Sequence, residues 1–314
     1  VADLILHHYP TSPFAEKARL LLGYKKLAWK SVIIPQIQPK PDVVALTGGY
    51  RKTPILQIGA DIYCDTALFC DVLEHLAPAP AIYPAQGKGL ARTVAQWADS
   101  TLFWTAMAYN FQPKGAAELF AGAPAELGKA FADDRKAMSV NMTRLRPLDA
   151  IAAYKSYLRR ISDMLEGQPF VMGDAPTVAD FSLYHPLWFT RVRTPSLADI
   201  LTHTPAVLEW MERMAAFGHG EMEKFDSASA IQVAAASTPR SLLVDSTFQD
   251  DHGIPLGSRV TVAGESFGPE PTEGELIAAT RTHFSLRRQD ERAGTVHVHF
   301  PRIGYVLRKV ETPA

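Results

Sequence analysis

The chain has 314 residues, is 47% hydrophobic and 21% charged, and carries a formal net charge of -1. That is length for about two domains with a sizeable core, and near-neutrality offers neither a nucleic acid nor an anionic membrane an electrostatic foothold. No apolar run reaches about 18 residues and no basic start precedes an apolar segment, so a cytoplasmic protein with no membrane partner is expected.

Leu4-Ile5-Leu6 is a short apolar run closed by Pro10, and Phe14, Ala18, Leu21 and Leu22 then recur at helical spacing. This predicts a strand over 4–7 and a helix over 13–24. Pro13 suits a first helical residue, which leaves Ser12 at the N-cap; taken alone, Ser12 is a cap and nothing more. The β-branched run 29–34 completes a strand-helix-strand unit and predicts a parallel pair. A connection rich in Pro and Gly (Pro39, Pro41, Gly48, Gly49) leads to 54–58 and 61–63, spaced by Gly59-Ala60 as in a hairpin. Leu68, Val72, Leu73 and Leu76 give one helical face, stopped by Pro78 and Pro80. A βαβ unit followed by ββα in 1–80 is the layout of a thioredoxin-like domain. Cys64 and Cys70 fall within it and are too few for a disulfide framework or a four-ligand metal site, so small buried hydrophobes are expected.

Residues 88–222 read as an all-helical domain. Its clearest local signal, Thr177 to Asp180, is a capping box whose side chains satisfy backbone donors at a helix start. The Ala/Ser-rich stretch 223–239 reads as a linker, although Ile231 and Val233 could pack locally. From 240 to 314, short strand-like runs near 242–244, 260–262, 276–278, 283–286, 296–300 and 305–307 predict a small all-β, barrel-like domain. His297 and His299 fall on one strand face with His283 nearby, but no Cys, Asp or Glu stands at ligand spacing beside them. Cross-strand packing or hydrogen bonding is the expected role, and no metal is expected.

Ser12-Pro13-Phe14-Ala15-Glu16-Lys17-Ala18-Arg19 resembles the active-site segment of the glutathione transferases, closest to the omega-like pattern C-P-F-A-x-x-x-R with serine at the cysteine position. Lys52-Thr53-Pro54-Ile55-Leu56 resembles the family's x-x-V-P-x-L, whose proline is cis. Asp65-Thr66 stands where the family has an acidic residue followed by Ser or Thr, and Thr177 to Asp180 matches its capping box. The resemblance covers roughly residues 3 to 218.

It implies a glutathione transferase-like enzyme, with glutathione as co-substrate and a homodimeric assembly. Ser12 would stabilise the glutathione thiolate, with Tyr9 and then Thr11 as alternative donors. Phe14, Lys52, Thr53, Pro54, Asp65 and Thr66 would bind glutathione: Thr53 through its backbone next to the cis proline, Asp65 and Thr66 through the γ-glutamyl group. Without the cysteine, thiol transfer through a mixed disulfide is not expected at Ser12. A small hydrophobic electrophile would lie against Phe103, Trp104 and Met107, near which Trp97 and Phe111 also fall. The alternative is a non-catalytic binding or scaffold protein that keeps this fold and presents the β module; a glutathione-dependent isomerase or peroxide reductase is a third reading.

Overall fold

The computed structural model describes residues 3–143 and 145–311; the ends of the first and last expected domains lie outside that range. The first unit runs β1 (Ile5–His8), α1 (Pro13–Tyr24), β2 (Ala28–Ile33), α2 (Pro41–Thr47), β3 (Ile55–Ile58), β4 (Asp61–Cys64) and α3 (Thr66–Leu76). β1 pairs parallel with β2 and antiparallel with β3, and β4 follows antiparallel to β3. Because side chains alternate along a strand, Ile5, Ile55 and Ile62 enter one apolar cluster while Leu6, Leu56 and Tyr63 enter another on the opposite face. The sheet is therefore buried on both sides, as parallel pairing requires. α2 lies in the stretch expected as a plain connection: Pro41 opens it and Gly48, at φ 80°, closes it.

The helical unit runs α4 (Lys88–Trp97), a π-helical turn (Ala98–Leu102), α5 (Phe103–Asn110), α6 (Pro113–Leu119), α7 (Ala125–Met138), α8 (Pro147–Met164), α9 (Val178–Trp188) and α10 (Pro205–Ala215), and all of these but α7 join α1 and α3 in the second cluster. Asp180 accepts hydrogen bonds from the backbone N–H of Thr177 (2.8 Å) and Val171 (3.0 Å) and from the Trp210 indole (3.0 Å). It is a structural anchor, as the capping box implies.

The expected linker is regular structure instead. β5 (Glu221–Phe225) adds to the sheet edge parallel to β2, and α11 (Ser227–Ala235) covers the far face through buried Ala230, Ile231 and Ala234. Their i, i+1, i+4 spacing is one helical stripe, too short to stand out among alanines and serines. The return from α10 crosses α1 so closely that a Cβ on Gly23 would sit 2.0 Å from the Gly218 carbonyl oxygen.

Among the described residues the C-terminal β module has five strands: β6 (Arg259–Gly264), β7 (Thr272–Ala279), β8 (His283–Asp290), β9 (Gly294–Pro301) and β10 (Tyr305–Lys309). It continues the first unit's sheet and is not a detached, closed barrel. β9 pairs parallel with β4, giving one ten-stranded sheet in the order β10-β6-β7-β8-β9-β4-β3-β1-β2-β5. Leu286, Val298 and Phe300 join Ile62 and Cys64 in a shared core. The run 242–244 is not a strand; it belongs to an irregular segment laid over the sheet, where the Leu242 N–H donates to the Tyr63 hydroxyl (2.9 Å).

Candidate active site

Ser12 leaves β1 on a short turn and caps α1 with extended backbone (φ -75°, ψ 123°), its Oγ accepting from the Ala15 N–H at 3.2 Å. The free N–H groups and dipole of that helix start make an anion-favouring spot. The Tyr9 phenol accepts from Arg135 Nη2 of α7 at 3.2 Å, and the Tyr9 carbonyl accepts from the Ser12 N–H at 3.2 Å. Burial pushes the phenol's pKa up against the pull of Arg135, so it stays a donor. Thr11 is half-buried on the same turn.

The other expected residues converge from β3, β4 and α3. Thr53–Pro54 is cis, and the Thr53 hydroxyl is buried with no hydrogen-bond partner among the described residues. Asp65 (φ 78°) caps α3 with one carboxylate oxygen, to Ala67 N–H at 3.0 Å, while the other accepts from the Tyr305 hydroxyl at 2.9 Å. The Thr66 hydroxyl accepts from the buried Lys17 ammonium (3.0 Å), which pairs with Asp99 at 2.6 Å in the π-helical turn. Burial works to raise the Asp99 pKa, but Lys17 and His185 outweigh it and hold the carboxyl below the usual range. Lys52 lies over the rings of Tyr305 (4.5 Å) and Tyr50 (5.4 Å), and burial lowers its pKa.

Of the expected pocket residues, Phe103 and Met107 are 7% exposed and belong to the core, the Phe103 ring lying tilted against Phe14 at 4.7 Å. Trp104 is half-buried against Phe267 of the β6–β7 connection, at 4.7 Å. Trp97 packs on Tyr157, and Phe111 on Phe131 and Phe189. Helical propensity could not separate these faces, because all five aromatic or thioether side chains sit on one continuous α4–α5 rod.

Sequence reasoning missed the wall that the C-terminal module and α7 build here. Arg51 is clamped between Asp134 (2.6 Å) and Glu270 (2.5 Å), and the Gly268 N–H donates to the Met138 carbonyl at 2.8 Å. A Cβ on Gly49 would lie 2.3 Å from the Pro271 carbonyl oxygen, so the module rests directly on the turn before Lys52. Tyr305, Phe267 and Glu270 are more than 150 residues from their partners, and no local signal marks them. Cys64 and Cys70 are buried, and burial pushes the Cys70 thiol up to about 12. Among the described residues no group of three or more His, Cys, Asp or Glu side chains is arranged to hold a metal ion.

A thioredoxin-like domain that presents a hydroxyl at a helix N-terminus, carries a cis proline and is followed by an all-helical domain has the architecture of the glutathione transferases. Two family models match: the glutathione S-transferase N-terminal domain over residues 6–81 and the C-terminal domain over 125–213. The crystal structure of a GST-like protein from Pseudomonas syringae is 44% identical, covers 99% of this chain and all of its own, and superposes with a TM-score of 0.80. The chain belongs to the glutathione S-transferase family. Glutathione transferases from Phanerochaete chrysosporium (19% identity, TM-score 0.55) and Rhodospirillum rubrum (19%, 0.51) share the fold over 69% and 68% of this chain and 98% and 88% of their own. No curated protein matches the chain. Among the described residues no helix is long and apolar enough to cross a membrane.

Proposed function

We propose that this protein is a glutathione transferase in which Ser12 holds the glutathione thiolate for attack on a small hydrophobic electrophile, acting as a cytoplasmic homodimer. The observation that carries this is Ser12 itself, a buried hydroxyl at the first turn of α1 next to a protonated Tyr9 phenol. A thiol there loses its proton more readily, because the helix start and a hydroxyl donor favour the anion over the neutral form. The sulfur then bonds the electrophilic carbon as the leaving group departs with its electron pair. Thr53, whose peptide lies outside the β3 ladder that starts at Ile55, would take the cysteinyl backbone, and Asp65 and Thr66 the γ-glutamyl group. Trp104 would border the second substrate.

The test is ultraviolet titration of thiolate in glutathione bound to the full chain, for wild type, Ser12→Ala and Ser12→Gly. Glycine is nearly as good a cap as serine but has no hydroxyl, so it separates the two roles. Wild type is expected to lower the thiol pKa by about one unit or more, about 1.4 kcal/mol, and both variants to lose that shift. Retention of the shift in both variants removes Ser12 from the role and passes it to Tyr9. If glutathione fails to bind at millimolar concentration, the enzyme reading falls and a non-catalytic binding protein replaces it.

A further inference from the structure

The three histidines on the strands of the β module, His283, His297 and His299, are left unused by the thiol site. His299 lies on β9 directly opposite Ser285 of β8, and its other neighbour is β4. Its Nδ1 is 2.7 Å from Ser285 Oγ and its Nε2 is 2.9 Å from Asp61 Oδ1. The second Asp61 oxygen accepts the Arg240 N–H. All three side chains are at most 3% exposed, and Tyr63 stacks on the imidazole at 4.7 Å, fixing its plane.

This arrangement fixes the proton order. The Asp61 carboxylate only accepts, so His299 carries its proton on Nε2, which leaves the Nδ1 lone pair for the Ser285 hydroxyl proton. Nucleophile, base and orienting carboxylate are then in line. Fastening β9 to β4 needs only the His299–Asp61 half of the chain. Ser285 and His299 instead also line a cavity of about 280 Å³, walled by the apolar side chains Leu243, Phe248, Leu256 and Ile277 and edged by Ser241 and Ser246. A β-bulge in β7 between Leu276 and Ala278, opposite Ser285, re-aims the strand at that cavity, a device common beside active sites.

We propose that Ser285, His299 and Asp61 form a second active site that hydrolyses short-chain carboxylic esters, with Ser285 and His299 catalytic and Asp61 a positioning residue. Ser285 Oγ bonds the ester carbonyl carbon while its proton passes to His299 Nδ1. The carbonyl electron pair shifts to oxygen, then returns as the carbon–alkoxy bond breaks, and the leaving alkoxide takes the proton from His299. Water repeats the sequence on the acyl-serine and releases the acid. The cavity admits a small acyl group, and its serine hydroxyls can donate to the carbonyl oxygen.

The full-length protein is incubated with a fluorophosphonate probe and the modified peptide located by mass spectrometry, alongside p-nitrophenyl acetate hydrolysis. An adduct on Ser285 is expected, formed equally with and without glutathione. Ser285→Ala is expected to abolish it and to lower ester turnover about a hundredfold or more, and Asp61→Asn to lower kcat by about tenfold or more with KM little changed. Wild-type protein that gives no adduct, or an adduct elsewhere, overturns the proposal without reference to any variant's folding. Ester turnover that survives in folded Ser285→Ala overturns it equally.

Discussion

Tyr305 is the residue through which the C-terminal module reaches the candidate glutathione site. Burial pushes its phenol well above the usual range, so it remains a donor to the Asp65 carboxylate, whose other oxygen is committed to capping α3. Tyr305→Phe is expected to lower unfolding free energy in urea by about 1–2 kcal/mol, the cost of unpairing a partly buried charged acceptor. Glutathione binding should weaken several-fold in the same variant, because Asp65 loses the contact that orients it. Tighter binding would instead show that Tyr305 competes with the ligand. Ser12 was readable in the sequence as a cap because capping is decided within three or four residues, whereas Asp65 stood out only through the family resemblance. Tyr305 was not readable, since nothing near it differs from any other strand tyrosine.

Among the elements, β1 and β8 carry a built-in acid sensitivity. Burial lowers the pKa of His7 to about 4, of His8 to about 3 and of His283 to about 4. Unfolded, each would titrate near 6.5. Below that pH the unfolded chain binds protons that the folded chain refuses, so stability is full above about 6.5 and is lost as pH falls toward the folded values, about 3 kcal/mol for His7 alone. Urea midpoints should therefore fall steadily from about pH 7 to pH 5, a window above the ordinary carboxylate range; midpoints that stay level across it would refute the account. Element type was legible wherever a periodic run had clear stops, as in α1, α3 and the β3–β4 hairpin. It was not legible for α2 and α11, where proline, glycine, alanine and serine read as loop although Pro41 opens one helix and Asp226 caps the other.

For the whole molecule, the ten-stranded sheet makes the C-terminal module part of the first domain. Shorter family members keep the fold over about two-thirds of this chain, so the fold as such does not need the module. In this chain, however, β4 is paired on both sides, and Val298, Phe300 and Leu286 fill the core above it. Ending the chain at Ser237 would bare a strand edge and open that core, each lost large apolar contact costing about 1.5–3 kcal/mol. The truncated protein is expected to aggregate or melt far below the full chain by circular dichroism and light scattering. A monodisperse product with the full-length melting temperature would show the module to be an appendage.

Local chemistry was the sequence's own decision: where α1 and α3 start, which hydroxyl caps α1, that the N-terminal unit is thioredoxin-like, that a helical unit follows, and that strands return after residue 240. What only the tertiary structure decided was the pairing of β9 with β4, the wall over the candidate thiol site, and the meeting of Asp61, His299 and Ser285. Strand edges pair through backbone N–H and C=O groups that are the same in every residue. Which edge finds which partner is therefore set by the packing of faces across the whole sheet, and no run of side chains spells it out.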